Sequence, residues 1–263
     1  MNESWSAGRS RESGFKSQMS RVDQFFKISP ADYDAYVRAE WQSYFEQPGR
    51  AAASLDAVGG LVIERVLDVG CGGGQELLPF LTKSSALGVG VDVVPDTGRA
   101  ARDLFSTRSE RHRVSFIRAA AEELPFQTSA FDVVVCRLAL PYTENDRALE
   151  EMGRVLRPDG IILLKIQRAT FYLQKIRHGV RTADPRSIFH ALRVLISGIV
   201  YRVTTRQPRT RLTGGETFQS RGLLLRKLAS LGMFIKGETS DSSSSTPSFV
   251  IKKLPQNGKV MSS

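Results

Sequence analysis

The sequence predicts an α/β fold in which a mainly parallel sheet is covered by helices on both faces. Short stretches rich in Val, Ile and Leu recur along the chain, and helical stretches with an apolar period of 3.6 residues separate them. A glycine-rich turn follows the first of the short apolar stretches. Parallel strands joined by crossover helices need cover on both faces, so this pattern predicts three layers.

An N-terminal helix precedes the first strand. It has an aromatic stripe made of Tyr33, Tyr36, Val37, Trp41, Tyr44 and Phe45. Two uses of this stripe stay open: packing against the core, or forming a lid over a binding site. Residues 1–30 are expected to be frayed.

Five strands and three helices follow in alternation. The strands are expected at residues 65–69, 86–91, 114–118, 131–136 and 160–165. The helices are expected at 74–83, at 97–107 with Asp96 as N-cap, and at 146–156. The last helix carries a buried stripe of Leu149, Met152, Val155 and Leu156, and a turn at 157–160 is expected to end it.

A basic segment follows the fifth strand. The net charge of the chain is +10, and residues 165–227 contain 14 Lys or Arg against Asp184 and Glu216, so this segment carries the surplus. A helix at 188–203 is expected to place seven apolar residues on one side: Ile188, Leu192, Leu195, Ile196, Ile199, Val200 and Val203. Arg193 and Arg202 flank them, and further arginines follow at 206–211.

Three uses of this segment stay open. The first is a solvated helical cap, the second is a cap that holds an anionic or lipidic ligand near a membrane surface, and the third is a nucleic-acid surface. Nucleic acid is disfavoured because the sequence has no RNA-module signature.

A serine-rich stretch at 240–248 is expected to form a loop, and residues 256–263 are expected to fray.

Composition excludes several classes of protein. With 41% apolar and 24% charged residues, the 263-residue chain is neither collagen-like nor wholly disordered. Cys71 and Cys136 lie in apolar stretches without metal-ligand spacing, so we expect reduced thiols and no metal site. The first residues lack the apolar region of a signal peptide, and the best apolar run, 194–200, is too short to span a membrane. We therefore expect a cytoplasmic protein.

The turn after the first strand predicts a ligand site. Glycines at 70, 72 and 74 form G-x-G-x-G, where dinucleotide-binding loops have G-x-G-x-x-G. Asp92 ends the next strand at a spacing that lets a carboxylate reach a ribose. Asp68 places a second carboxylate beside the ligand, which repels a pyrophosphate and favours a cation. A sulfonium with an amino-acid tail therefore fits this turn better than a phosphate.

Several motifs of the sequence occur in a characteristic order. VLDVGCGGG at 66–74 is followed by AEELPF at 121–126, FDVVV at 131–135 and VLRPDG at 155–160. In this order they resemble the class I S-adenosylmethionine-dependent methyltransferases, in the branch that contains quinone and other small-molecule methyltransferases. The resemblance covers residues 65–165 strongly and extends more weakly to 253. In its weaker part the end of the chain resembles the family's closing elements, which implies a helix at 217–231 and an antiparallel pair of strands at 232–236 and 249–253, joined across the loop at 240–248.

The resemblance implies a three-layer Rossmann-like methyltransferase fold. Its seven-stranded, mostly parallel sheet ends in an antiparallel strand, with a helical insertion between strands five and six. The methyltransferase domain would span 31–255, with the basic cap at 166–216.

The resemblance also implies the cofactor, S-adenosylmethionine, and the residues that contact it. These residues are Asp68, Gly70, Gly72, Gly74, Asp92, Val93, Ala121 and Glu122. Asp92 would hold the ribose hydroxyls, and the segment from Ala121 would line the adenine. The family usually has Asp where this chain has Ala120, and one lost hydrogen bond to adenine costs on the order of 1 kcal/mol. We expect weaker cofactor binding, with Glu122 or a backbone carbonyl compensating.

Methyl transfer from a sulfonium depends mainly on positioning and exclusion of water, so a general base is optional. Arg137 and Tyr142 follow the fourth strand and are the candidates for orienting an acceptor. Asp132 is expected to support the sheet edge and Cys136 to pack in the core. The three histidines, His112, His178 and His190, lie outside the motifs.

The sequence therefore predicts a methyltransferase that acts on a small-molecule or lipidic acceptor. Peripheral contact with an anionic membrane through residues 188–211 is part of this interpretation. Two alternatives stay open: a non-catalytic S-adenosylmethionine-binding interaction protein, and a nucleic-acid methyltransferase. The acceptor atom and the oligomeric state are not predicted.

Overall fold

Seven strands form one sheet in the computed structural model, which describes residues 30–94, 98–208 and 215–255. The strands are β1 (Arg65–Val69), β2 (Leu87–Asp92), β3 (Val114–Arg118), β4 (Phe131–Arg137), β5 (Leu156–Lys165), β6 (Met233–Glu238) and β7 (Ser248–Lys253). The α-helices are α1 (Pro30–Glu46), α2 (Pro48–Ala57), α3 (Leu78–Lys83), α4 (Arg99–Phe105), α5 (Asn145–Val155), α6 (Ala169–Arg181), α7 (Pro185–Thr204) and α8 (Arg221–Ser230). Short 3-10 helices lie at Gln75–Leu77, Ser109–Arg113 and Leu140–Tyr142.

The sheet has the strand order β3-β2-β1-β4-β5-β7-β6. Neighbouring strands from β3 through β5 are parallel, whereas β7 runs antiparallel to both β5 and β6. Helices α6 and α7 are inserted between β5 and β6. These features confirm the predicted fold, including the antiparallel last strand and the helical insertion.

The strand order creates a crevice next to β1. The chain moves outward from β1 to β2 and β3, then returns to place β4 on the opposite side of β1. Connections that leave β1 and β4 therefore diverge at the carboxyl ends of these two strands. Open α/β sheets bind ligands at such a reversal.

Alternating strand residues form a core on each face of the sheet. Leu67 and Val134 belong to the cluster packed against α5 and α8. Val66 and Val133 belong to the cluster packed against α1 to α4. Because successive strand residues point to opposite faces, this alternation produces two cores and a sheet buried between them.

The predicted stripe of α5 is confirmed, but the predicted turn after it is wrong. Leu149, Met152, Val155 and Leu156 are all fully buried. Residues 157–160 lie inside β5, where the register shifts from Leu156 opposite Phe131 to Ile161 opposite Val133. The intervening residues bulge out of the ladder because Pro158 has no N–H to donate to it.

Two predicted helix starts also need correction. The helix predicted at 74–83 begins as the 3-10 turn Gln75–Leu77, and α3 itself starts at Leu78. Helix α4 starts at Arg99, with Gly98 as its N-cap at a φ of +83°. Asp96, the predicted N-cap, lies outside the described residues. The short helix α2 was not predicted.

The basic insertion packs as a helical pair with its own small core of Tyr172, Ala191, Val194 and Phe218. The apolar side predicted for α7 mostly faces solvent, because Ala191, Val194, Ser197, Gly198 and Tyr201 form the buried side instead. By length and composition α7 could cross a membrane, contrary to expectation, although 28% of its most apolar window is buried against the protein.

The C-terminal elements follow the prediction with one shift. Helix α8 starts at Arg221, four residues later than predicted, because the Ser220 hydroxyl caps it by accepting a hydrogen bond from the Leu223 N–H (3.3 Å). Strands β6 and β7 form the predicted antiparallel pair. The expected fraying of residues 1–29 and 256–263 falls outside the described part of the chain.

Candidate functional site

A cavity of about 350 Å³ opens at the carboxyl ends of β1, β2 and β4, in the crevice where the strand order reverses. Seven of the eight predicted cofactor residues line it: Asp68, Gly70, Gly72, Asp92, Val93, Ala121 and Glu122. Arg137 and Tyr142, the candidates for orienting an acceptor, line it as well. Gly74 does not. The fold therefore brings residues from four separate segments to one site.

The glycine turn lets the backbone after β1 pass close to the cavity. Gly70 and Gly72 have φ angles of +74° and +51°, which side chains with a Cβ rarely adopt. A Cβ on Gly70 would overlap the Cβ of Ala139, so the turn packs directly on the segment that follows β4. Gly74 lies behind the turn, where a Cβ would come within 2.6 Å of the Phe116 ring.

Asp68 is a buried carboxylate at the cavity wall. It is 1% exposed, and its Oδ2 atom has no hydrogen-bond partner among the described residues. Burial, together with the negative charges of Glu76 and Asp92, raises the pKa of Asp68 well above its ordinary value. An unpaired buried carboxylate is costly, so this position favours a bound cation.

Asp92, at the end of β2, connects three parts of the site. Its Oδ2 accepts hydrogen bonds from the Tyr33 hydroxyl (2.9 Å) and the Gly72 N–H (3.1 Å). Its Oδ1 accepts one from the Val93 N–H (2.7 Å). The carboxylate is thus held rigidly beside the glycine turn, and the hydroxyl of Tyr33 ties α1 to it.

The segment after β3 forms the opposite wall. Ala119 and Ala121 line the cavity, and Ala120 between them is 1% exposed. Glu122 lines it too, but its Oε1 already accepts a hydrogen bond from the Glu144 N–H (2.7 Å). The Ala120 carbonyl accepts the Glu123 N–H (3.1 Å). Glu122, which is expected to compensate for the missing aspartate, therefore also binds the backbone before α5, and the Ala120 carbonyl has a partner within the protein.

A chain of charges runs from the cavity to the β6–β7 loop. Arg50 on α2 donates to the Glu76 carboxylate from Nε (2.7 Å), and Arg137 reaches the same Glu76 oxygen at 3.4 Å. Arg137 and Lys165 both contact Asp241, at 2.8 and 2.7 Å. Arg137 is thereby neutralised by two carboxylates, which suits a positioning role better than direct contact with an acceptor.

Asp241 is the carboxylate that joins this loop to the sheet. Burial alone would raise its pKa, but hydrogen bonds from Lys165, Thr239 and Arg137 outweigh that effect. The pKa of Asp241 consequently lies well below its ordinary value.

Tyr142 stands at the mouth of the cavity beside a buried carboxylate. Its hydroxyl is hydrogen-bonded to Glu216, which also accepts a hydrogen bond from Tyr172 (2.8 Å) and lies 3.3 Å from His190 Nε2. Burial and the charge of Glu216 raise the pKa of the Tyr142 phenol. Tyr142 therefore stays protonated at neutral pH and suits orientation of an acceptor better than removal of its proton.

Helix α1 serves both uses left open for its aromatic stripe. Trp41 and Tyr44 pack against the core. Tyr33, Tyr36 and Val37 line the cavity, with Tyr36 58% exposed. The helix thus covers the site while its second half anchors it to the sheet.

Three further expectations concern residues away from the cavity. Asp132 accepts hydrogen bonds from the Glu64 and Arg65 N–H groups (2.8 and 2.9 Å), which holds the start of β1. Cys136 is buried in the core, and burial raises its pKa to about 12. No group of three or more metal-ligating side chains that could hold a metal ion occurs in the described ranges.

Sequence reasoning missed several residues of the site. Arg50 lies on the unpredicted helix α2, and Asp241 and Glu216 lie far along the chain, so no local pattern could reveal them. Glu76 has no role in the sequence prediction, although it lies two residues after Gly74, the last glycine of the motif. That position was the available signal.

Strand order, glycine turn and buried acid together define a class of protein, the class I S-adenosylmethionine-dependent methyltransferases. Comparison with known families agrees, since residues 67–164 match the family described as "Methyltransferase domain". Residues 67–164 therefore form a methyltransferase domain of this class, and S-adenosylmethionine is the cofactor of the domain.

Curated relatives match the central part of the chain. An uncharacterized methyltransferase of Bacillus subtilis is 36% identical over 101 residues, which cover 38% of this chain and 39% of that protein. A ubiquinone/menaquinone biosynthesis C-methyltransferase of Idiomarina loihiensis is 35% identical over 103 residues, 38% of this chain and 41% of that protein. The matched segment thus spans only about two fifths of the length of these relatives.

Solved structures share the fold across most of the chain. An O-methyltransferase family protein from Burkholderia thailandensis superimposes with a TM-score of 0.61 at 17% identity, over 91% of this chain and 62% of that one. Magnesium protoporphyrin IX methyltransferase from Synechocystis, solved with bound SAH, superimposes with a TM-score of 0.52 at 17% identity, over 93% of this chain and 98% of that one. At these identities the likeness concerns the fold.

The residues of the cavity fit the cofactor of the family. The orphaned Oδ2 atom of Asp68 suits the cationic amino-acid end, and the turn at Gly70 and Gly72 lines the same cavity. Asp92, held at the end of β2, suits the ribose hydroxyls. S-adenosylmethionine supplies, when bound, a methyl group on a positively charged sulfur.

Proposed function

We propose that this chain transfers the methyl group of S-adenosylmethionine to a small hydrophobic or lipidic acceptor. The single observation that carries the proposal is the unpaired, buried carboxylate of Asp68 in a cavity that the glycine turn and Asp92 also line. A site for a cation and a ribose, built on this fold, supports use of the cofactor in catalysis. The cytoplasmic location expected from the sequence remains part of the proposal.

The acceptor class is supported by the mouth of the cavity and by the relatives. Tyr36 and Tyr142 present aromatic rings there, 58% and 41% exposed. Relatives that match the same segment include the ubiquinone/menaquinone C-methyltransferase and tocopherol O-methyltransferase of Arabidopsis thaliana. Aromatic side chains at the entrance favour a ring-containing, largely apolar acceptor.

The protein contributes chiefly by positioning. Asp68 holds the amino-acid end of the cofactor and Asp92 its ribose, while α1 covers the site and excludes water. Tyr142 directs its proton toward Glu216, so its oxygen is available to accept a hydrogen bond from the acceptor. Arg137 fixes Glu76 and Asp241 rather than contacting the acceptor.

Methyl transfer can be measured with radiolabelled S-adenosylmethionine and separate pools of quinols, tocopherol-type phenols and short nucleic acids. We expect label in the quinol or phenol pool. Tyr142→Phe should lower kcat/KM for the labelled acceptor about tenfold without changing cofactor affinity, because one oriented hydrogen bond is lost. Label in nucleic acid would replace this proposal with the nucleic-acid alternative, and tight cofactor binding without any turnover would favour a non-catalytic binding protein.

A further inference from the structure

The outer face of α7 is an exposed apolar stripe. Six large side chains recur at spacings of one, three and four residues, which places them on one side of the helix. Their exposures are 70% for Phe189, 46% for Leu192, 61% for Ile196, 55% for Ile199, 40% for Val200 and 77% for Val203. A contiguous apolar surface of this kind marks an interaction site.

The opposite face of α7 fixes the helix in this orientation. Ala191 and Val194 are fully buried in the core that the helix shares with α6. Gly198 packs directly against the Phe218 ring, and the Tyr201 hydroxyl donates to Asp146 Oδ1 (2.8 Å). The helix cannot rotate to bury its outer stripe without breaking these contacts, so the stripe belongs to the native surface.

Charge beside the stripe identifies the kind of partner. Arg186, Arg202 and Arg206 are exposed along or just beyond α7, and the segment 165–227 has fourteen basic residues against two acidic ones. Such a surplus attracts an anionic surface and repels a second copy of itself. Nucleic-acid surfaces place cations at their centre, whereas here the centre is apolar and the cations lie at its sides.

We propose that α7 docks on an anionic lipid bilayer, with its outer stripe in the boundary between headgroups and acyl chains and its arginines at the level of the phosphates. Twenty residues give a helix about 30 Å long that lies in the plane of the surface. It does not cross the bilayer, because its inner face is committed to the protein core.

The docking helix is also connected to the candidate site. His190 on α7 lies 3.3 Å from Glu216, whose carboxylate is hydrogen-bonded to Tyr142 at the cavity mouth. A bilayer under α7 would thus be near the entrance for a lipidic acceptor. The docking itself needs neither cofactor nor acceptor, so its failure and the failure of the proposed function are distinguishable.

Co-sedimentation of the full chain with lipid vesicles tests this inference. We expect binding to phosphatidylcholine vesicles that contain about 30% phosphatidylglycerol, weak binding to phosphatidylcholine alone, and loss of binding as salt rises. Ile196→Gln/Ile199→Gln/Val203→Gln should weaken binding about tenfold or more, and Arg202→Gln/Arg206→Gln should weaken it about tenfold. All five side chains are exposed, so thermal melting of both variants should match that of the wild type.

A matched pair of valines provides the control. Val203 and Val62 are exposed to 77% and 80%, but Val62 lies before β1, outside the stripe. Val203→Gln should weaken vesicle binding about twofold to threefold, and Val62→Gln should leave it unchanged. Equal effects of the two changes, or no binding to anionic vesicles, would overturn the proposal. The proposal would also be overturned if the wild type self-associates in sedimentation velocity, or binds duplex DNA, and the triple variant Ile196→Gln/Ile199→Gln/Val203→Gln abolishes that association or binding.

Discussion

Asp68 shows how one buried residue can oppose folding while serving a site. Its folded pKa is raised above the ordinary value of 3.8, so ionisation disfavours the folded state. The stability of the protein should therefore fall as pH rises from about 4 through the folded pKa of this carboxyl. A bound cation would relieve that cost, which links cofactor affinity to the same ionisation.

Asp68→Asn should separate the effect of this carboxylate on cofactor affinity from its effect on folding stability. We expect cofactor affinity to fall about tenfold to a hundredfold, since a charged hydrogen bond contributes about 1.5–3 kcal/mol. The melting temperature of the variant at pH 7 should be equal to or above that of the wild type. Calorimetry and thermal melts between pH 5 and pH 8 measure both, with exposed Asp159→Asn as the control. Loss of binding together with loss of stability would assign Asp68 a structural role instead.

At the scale of elements, the β6–β7 loop is tied to the sheet by Asp241. The folded pKa of this carboxyl is depressed, so its stabilisation is present above the unfolded value of about 3.8 and is lost as pH falls through the folded pKa. Asp241 contacts Lys165 at 2.7 Å and Arg137 at 2.8 Å. Its negative charge therefore offsets the cost of burying both cations.

Asp241→Asn should lower the free energy of unfolding by about 2 kcal/mol at pH 7, because two largely buried cations lose their counter-charge. The difference from the wild type should shrink below about pH 4, because the carboxyl of the unfolded chain begins to take up a proton there while the folded carboxyl stays ionised to lower pH. Urea unfolding at a series of pH values measures this. A difference that stays constant down to pH 2 would show that the loop is held by its shape rather than by this charge.

The sequence predicts that α7 is a helix, but it does not predict which side of the helix is buried. Its sequence is apolar on two sides, and periodicity cannot tell which side faces the protein. Small residues decide it, because Gly198 lets the helix approach Phe218 closely, whereas the larger residues Ile196 and Ile199 remain outside. The sequence does not reveal this choice, since Phe218 comes from a segment beyond the helix.

For the whole molecule, local patterns were sufficient for the first five strands and for the turn at Gly70 and Gly72, whereas the seven-stranded sheet with its antiparallel last strand was implied by the family resemblance. Strand β1 and β3 were predicted at their exact bounds, since short Val-rich runs bounded by turns are local signals. Arg50 and Asp241 could not be predicted as site residues, because they meet Glu76 and Arg137 only through the tertiary fold. The absence of an aspartate at Ala120 is evident only by comparison with the motif of the family.

Calorimetric titration of the full chain with S-adenosylmethionine tests the central claim most directly. The site at Asp68 and Asp92 predicts saturable binding at one site per chain, comparable binding of the demethylated product, and no binding of NAD. Binding should weaken as pH falls, because the Asp68 carboxyl must be ionised to hold a cation. Absence of binding to both methylated and demethylated forms, or saturable binding of NAD at the same site, would contradict the account.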